Sequence, residues 1–462
     1  MRKILVLFLI FGCVGFSESP AQEKKASRGL TLEECIQTAL KNRPEMAIAN
    51  SEILNSEHQV KEATSYYYPR LKFNASYTRF NKPEQFKFDI DITEILTALD
   101  GLGVPTSGFP SKLSQEVEIG KTNWAFVSLD LEQPVYTFGR IEEAVKQARI
   151  GQSIAVNQKE KKKEEIIFEV KKRYYQVLFS RASLQLLKDA EARGGVVAKM
   201  AKIAYETSVP DKEDKGVTRL DFLKARNFLS EVKAKSVEMN KNLILAELAL
   251  KMAMGVDTTV PLTVTEVPVE SLSLVTQDLD LTKEILLNKN MDLKTMEQAV
   301  QLYDSRRRAA SKEYLPKIGI QGQYVGPEDR YGTKNLWYAG IGITLPIFDG
   351  FATKAKIGQA EAQFQKIKSQ KHLLESGLLV QIEYLNANLV EQREKIRILG
   401  EAINEAQERL SLAADGYAAG ITEYDDLLLA QKAELEMRGA YLQSLFLYQM
   451  AKAEMEFISG VL

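Results

Sequence analysis

One pattern occurs twice in this chain, 247 residues apart, and a long-range duplication constrains the architecture before any other feature is weighed. Each copy opens with a proline just after a tyrosine and runs into a short alternating strand. A second strand ends in a proline followed, one residue on, by an aromatic, and a very long helical stretch comes next. The first copy runs Tyr68-Pro69-Arg70-Leu71 to Tyr77, then Trp124 to Gln133-Pro134-Val135-Tyr136. The second runs Tyr314-Leu315-Pro316-Lys317-Ile318 to Tyr324, then Trp337 to Leu345-Pro346-Ile347-Phe348. Pro69 and Pro316 keep the same offset as Tyr77 and Tyr324. Two β-hairpins on two sets of long helices follow from this.

The strands alternate strictly. Leu71, Phe73, Ala75 and Tyr77 oppose Lys72, Asn74, Ser76 and Thr78, and Ala125, Val127, Leu129 and Leu131 oppose Ser128, Asp130 and Glu132. In the second copy Ile318, Ile320 and Tyr324 oppose Gln321 and Gln323, while Ile341, Ile343 and Leu345 oppose Gly340, Gly342 and Thr344. Strands of about ten residues, apolar on one face and small or polar on the other, suit a transmembrane barrel. A small sheet half covered by core is the alternative. Barrels need at least about eight strands, so the expected pairs 71–79/124–133 and 317–325/337–346 imply an oligomer if they span a membrane. Residues 81–122 are expected to form a long irregular insertion.

Between the strand pairs the chain reads as helix. Thr31-Leu32-Glu33-Glu34 opens one to about Ser65. From Gly139 to about Ser208 there is no proline, roughly 70 residues or about 100 Å of helix. Gly194-Gly195 interrupts it and predicts a local bend. Charged residues Asp211 to Gly216 make the turn into a helix over 218–254, and a connector over 261–281 precedes a helix over 282–313. The last two helices cover about 352–419 and onward to Gly460. In them Ile396, Leu399, Ile403, Ala406, Leu410, Ala413 and Tyr417, then Met437, Tyr441, Ser444, Tyr448, Ala451, Met455 and Ile458, keep a sustained 3.5-residue spacing, which means coiled-coil packing. An ordinary helical bundle is the alternative.

Composition removes several classes. A net charge of −1 favours neither nucleic acid nor an anionic surface. Two histidines, His58 and His372, leave little for metal or acid–base chemistry. No phosphate-cradling glycine loop, metal-ligand spacing or nucleophile–histidine constellation is visible, so neither an enzyme nor a cofactor is expected. Arg2 and Lys3 precede the apolar run Ile4 to Phe11, a secretory signal pattern. Ser19-Pro20-Ala21 offers a cleavage site that makes 1–21 the signal peptide. Ile10-Phe11-Gly12-Cys13 is a loose lipobox that would end the signal at residue 12 and leave Cys13 acylated. Cys35 is the other cysteine, so the mature chain is expected to hold no internal disulfide. Beyond the signal no apolar run is long enough for a transmembrane helix, so entry into a membrane must use strands.

Together these residues resemble the TolC-type outer-membrane efflux channel family. The similarity covers about Leu30 to Val461 in duplicated form, as repeats over 30–260 and 282–461. The strongest local matches are Gln133-Pro134-Val135-Tyr136-Thr137-Phe138-Gly139-Arg140 and Leu345-Pro346-Ile347-Phe348-Asp349-Gly350. Thr218 to Ala225, Gly416 to Gly420, and Asp425 to Leu428 also match. The resemblance implies a mainly α fold with a small β part: duplicated coiled-coil hairpins forming a periplasmic tunnel, and four transmembrane strands per chain in a trimeric twelve-stranded barrel. It further implies a homotrimer in outer-membrane lipid, docked to a periplasmic adaptor (a membrane fusion protein) and an inner-membrane transporter, serving efflux or type I secretion. A periplasmic coiled-coil adaptor is the rival reading, but it should carry a split lipoyl-like domain around a single hairpin.

Residue roles come from the resemblance alone. A tyrosine near the second-repeat turn bonds an aspartate of the first-repeat hairpin to latch the tip, positions matched by Tyr417 and Asp221. A basic residue that supplements this latch is replaced by Thr422, and Arg219 in the other hairpin is the candidate substitute. Asp426 matches an acidic ring at the constriction, with helix N-terminal stabilisation as its alternative role. Asp425 adjoins it, and the second family ring position is Leu429. Gly420 is expected to supply a positive-φ turn. Residues 211–216 enlarge one tip, as solvated loop or adaptor contact, and 81–122 would be the extracellular loop.

Overall fold

The computed structural model describes residues 29–82, 84–119, 122–207, 218–259, 261, 264–265, 279–326 and 336–461. The signal segment with Cys13, the 211–216 turn and most of the 261–281 connector lie outside the described residues. No described helix is long and apolar enough to cross a membrane.

Helix α1 (Leu32–Asn42) starts at Thr31, whose hydroxyl accepts from Glu34 N–H while the Glu34 side chain accepts from the Thr31 backbone, a capping box. The expected single helix to Ser65 is two. Arg43 is extended at φ −71°, ψ 126°, and α2 (Pro44–Ser65) begins at proline. Proline disfavours the helical conformation in the residue before it and lacks the N–H that would donate to the carbonyl four residues back, so the helix must restart there. The expected helix over 282–313 divides in the same way. Helices α6 (Leu279–Lys289) and α7 (Met291–Ser311) are separated by Asn290, whose side chain caps α7 by accepting from Leu293 N–H. The long helices are α4 (Arg140–Thr207), α5 (Arg219–Met254), α8 (Ala352–Ala418) and α9 (Tyr424–Ser459). Gly194-Gly195 does not break α4.

Four strands, β1 (Arg70–Arg79), β4 (Asn123–Tyr136), β5 (Lys317–Gly326) and β6 (Leu336–Thr344), pair antiparallel in the order β1-β4-β5-β6. The register aligns Phe73 with Leu129, Leu129 with Tyr324, and Tyr324 with Trp337. Leu71, Leu131, Gly322 and Ala339 form the adjacent row. One face is therefore apolar across all four strands, and the other carries Lys72, Asn74, Asp130, Glu132, Gln321 and Gln323. Pro134, which cannot donate to a ladder, sits where the β4–β5 register shifts.

The insertion after β1 is not irregular. It contains β2 (Glu84–Asp91), α3 (Thr93–Gly101) and β3 (Lys112–Ile119), with β2 and β3 paired as a second, two-stranded sheet. Phe86, Phe88 and Ile90 face Val117, Gln115 and Leu113, so this ribbon too has one apolar face, held on the other by Lys87–Glu116 at 3.0 Å.

Both strand-to-helix junctions of the repeat turn through two successive left-handed residues, Phe138 with Gly139 and Gly350 with Phe351. A non-glycine residue there costs roughly one to a few kcal/mol, so the surroundings must impose it. At the first junction Arg140 donates to the carbonyls of Lys312, at 2.8 Å, Glu313 and Leu315, tying the start of α4 to the entry of β5. Glu143 is gripped by Ser305, Arg308 and Lys312, whose hydrogen bonds together hold its carboxyl below the usual range against the opposing effect of burial. At the second, Asp349 accepts from Thr353 N–H at 2.8 Å.

The chain divides into two compact units. One holds the strands with residues 44–168, 276–389 and 451–462; the other is helical, from 169–275 and 390–450 with the segment before Pro44. The helical unit packs on small residues. Ala198, Ala201 and Ala225 surround Tyr424, and Ala413 and Ala430 close on Leu427. Ile396, Ala406 and Ala413 of the heptad stripe are buried while Arg397, Glu401 and Leu412 between them are exposed, so the stripe is the packed face.

Candidate functional site

Two places have the chemistry of a conduit rather than of a reaction centre. The first is the polar face of the four-stranded sheet. Asp130 is its hub: it accepts from Gln323 Nε2 at 2.6 Å, from Ser128 Oγ at 3.2 Å and from Asn74 Nδ2. Lys72 lies 3.8 Å from Glu132 on the neighbouring strand. The opposite face leaves Phe73, Tyr77, Ile341 and Ile343 exposed by 68, 69, 75 and 68 % in the single chain. Aliphatic and aromatic surface of that extent in one plane is what lipid covers.

The second place is the end of the helical unit where α8 turns into α9. Helix α8 ends in a Schellman motif: Ile421 N–H donates to Gly416 O at 2.8 Å and Gly420 N–H to Tyr417 O at 3.1 Å. Gly420 is left-handed at φ +73°, as this motif requires, and Gly416 admits Thr422 so closely that a Cβ would lie 2.1 Å from its hydroxyl oxygen. Thr422 thus packs into the turn and donates its N–H to Gly416 O.

Across from this turn α5 begins. Thr218 caps it and Asp221 completes a capping box, its carboxylate accepting from Thr218 N–H at 2.9 Å and Oγ1 at 2.7 Å. The Tyr417 ring meets Tyr424 edge-on at 5.8 Å, and both hydroxyls are buried without a hydrogen-bond partner among the described residues. Burial first, and then the charge of Asp221, push the Tyr417 hydroxyl above its ordinary pKa; Tyr424 is raised by burial, then by Tyr417, Asp221 and Asp425. Tyr417 and Asp221 are thus brought into electrostatic range, while the nearest bonds of Asp221 are those to Thr218.

Asp425 points to α5, where Lys224 Nζ contacts both its oxygens at 2.6 and 2.8 Å and lies 3.9 Å from Asp221. Asp426 is exposed and shares an open cleft with Glu405, Glu408, Arg409 and Thr422. Arg219 is exposed at the first turn of α5, with no partner among the described residues, and Leu429 is 55 % exposed. Tyr424, Lys224 and the deeply buried Glu434, held by Arg193 at 2.9 Å and Arg438 at 2.8 Å, were not singled out from sequence. Lys224 follows Asp221 by three residues on one helix, a helical spacing that was the available signal, whereas Tyr417 and Tyr424 stand on opposite sides of the turn at Gly420 and no spacing rule links them.

No curated protein sequence matches the chain. Solved structures do. The outer membrane protein VceC of Vibrio cholerae superposes at TM-score 0.73 and 15 % identity, over 93 % of this chain and 96 % of that one. The Campylobacter jejuni CmeC outer membrane channel gives 0.72 and 15 %, over 98 % and 93 %. The open state of the Neisseria gonorrhoeae MtrE outer membrane channel gives 0.72 and 18 %, over 93 % and 88 %. Such identities establish the fold. The family profile of outer membrane efflux proteins matches residues 35–256 and 283–461, both repeats, and the adaptor reading is not favoured. That family is one of channels, not of enzymes. This chain belongs to the outer membrane efflux protein family, as an efflux channel-tunnel of the outer membrane.

Proposed function

We propose that the chain works as a homotrimer, the exit duct of an export machine completed by a periplasmic adaptor and an inner-membrane transporter. The observation that carries this is the open sheet. β1 and β6 stand at its two edges, each with one side unpaired among the described residues, and the apolar face runs unbroken between them. Four strands cannot close; pairing β6 with β1 of the next copy removes every edge and yields twelve strands around a polar lumen. The duct passes solutes without chemistry, so its work is gating and selectivity.

Gating is assigned to the α8–α9 turn and the start of α5. Tyr417 and Asp221 are the latch, with Lys224 and Asp425 as the ion pair that spans α5 and α9 in place of a basic residue at Thr422. Arg219 is left for contact with a neighbouring copy. The Asp426 carboxylates, gathered by threefold symmetry, form a ring that draws cations. Single-channel recording from the detergent-purified protein, with its particle mass, tests the assignment. Trimers with discrete cation-favouring openings support it. A monomer soluble without detergent and silent in bilayers overturns it.

A further inference from the structure

Within the strand-bearing unit, α4, α7, α8 and α9 enclose a cavity of about 190 Å³. Its wall includes three carboxylates, Glu164, Asp292 and Glu454, and one ammonium, Lys161. Lys161 is engaged by Asp292 at 2.6 Å and lies 3.9 Å from Glu165, and Glu454 accepts from Gln381 at 3.4 Å. Glu164 differs. It is 8 % exposed and makes no hydrogen bond or ion pair among the described residues. Lys163 on its own helix is drawn to Glu160 at 3.8 Å, and Lys294 of α7 acts on Glu164 only through its field. Phe168 and Phe457, stacked at 5.1 Å, add an aromatic wall.

A buried anion without a partner is costly, and proteins resolve it by a proton or by a cation. We infer that this cavity binds a small organic cation of the aliphatic ammonium class, its charge against Glu164 and its carbons against Phe168 and Phe457. A metal ion is a poorer occupant: no cluster of three or more Asp, Glu, His or Cys converges for one among the described residues. An alkylammonium needs one carboxylate and a partly aromatic lining, and both are present.

With the cavity empty, burial above all, and then the charge of Glu160, push the Glu164 carboxyl from 4.5 up to about 7, with Lys294 and Lys163 opposing and Asp292 assisting. A raised carboxyl pKa means that the folded chain holds the proton more tightly than the unfolded chain. Stability is therefore lost as pH rises from 4.5 through about 7, and the penalty is full above that. A bound ammonium relieves it, so ligand effects grow with pH.

The test is thermal unfolding of the detergent-solubilised full-length protein with propylammonium chloride against equimolar sodium chloride. At about pH 8 the midpoint is expected to rise with propylammonium only, and the gain to vanish near pH 4.5, where the folded chain keeps the carboxyl protonated. Glu164→Gln is expected to unfold at a higher temperature than wild type at about pH 8 and to ignore propylammonium. Equal responses to the two salts, a gain that persists at acid pH, or a response retained by Glu164→Gln each overturn the proposal. The acid arm uses wild type and holds even if the variant folds poorly.

Discussion

Replacing Ile341 by arginine tests the membrane face against its own nearest neighbour. Ile341 lies mid-strand in β6, paired with Ile320, and is 75 % exposed in the chain. Gly340 precedes it, pairs with Gln321 on the polar face, and has nothing within 4 Å of where a Cβ would stand. An arginine on the lipid face near the bilayer midplane costs about 2–4 kcal/mol. At 1.4 kcal/mol per factor of ten that is about thirty- to seven-hundred-fold in the folding equilibrium of each strand set. An arginine at Gly340 meets water and the side chains of the polar face, and the same scale assigns it little cost. Folding of urea-denatured protein into lipid vesicles, followed by loss of heat-modifiable migration on gels, measures both. Ile341→Arg is expected to fold poorly, and Gly340→Arg to fold like wild type with altered conductance. If the two fold alike, or Gly340→Arg is the worse, the alternating face does not meet lipid and the barrel assignment falls.

The tip gives two further tests in planar bilayers. Tyr417→Phe with Asp221→Ala should raise conductance, and unchanged conductance removes the latch. Asp426→Asn should weaken block by divalent cations; retained block places the ring elsewhere. Glu434→Gln removes a 2 % exposed carboxylate from two arginines that are themselves 40 and 35 % exposed, and should cost about 1.5–3 kcal/mol, the scale of a charged hydrogen bond with solvent screening the arginines. Denaturant titration reads that loss, and a change under 1 kcal/mol would mean that water reaches the pair.

How much was legible follows from the range of the forces involved. Strand alternation needs only neighbours two apart, so Leu71 to Tyr77 and Ile341 to Ile343 gave their faces directly. Helix boundaries were harder. Continuous apolar spacing over 31–65 and 282–313 concealed restarts that Pro44 and Asn290 impose locally. The β2–β3 ribbon was hidden because Phe86, Phe88 and Ile90 are separated from Leu113 and Val117 by a helix and two prolines. At the tip, Thr218 and Asp221 form a box readable from their spacing of three. Lys224 and Asp425 are 201 residues apart, and their bond exists only once α5 and α9 are known to be neighbours. Glu164 is the extreme case: its sequence context is a charge run, which reads as a solvated face, yet helix packing buries it.

The hub at Asp130 has a consequence for whatever passes. Asn74, Ser128 and Gln323 spend their donors on one carboxylate, and Lys72 leans on Glu132. A wall whose polar groups are already satisfied by one another offers a travelling molecule few sites to adhere to. Such a lining wets readily and holds little, so passage across it is governed by friction with water more than by adsorption. Here that indifference is built from three side chains converging on an aspartate.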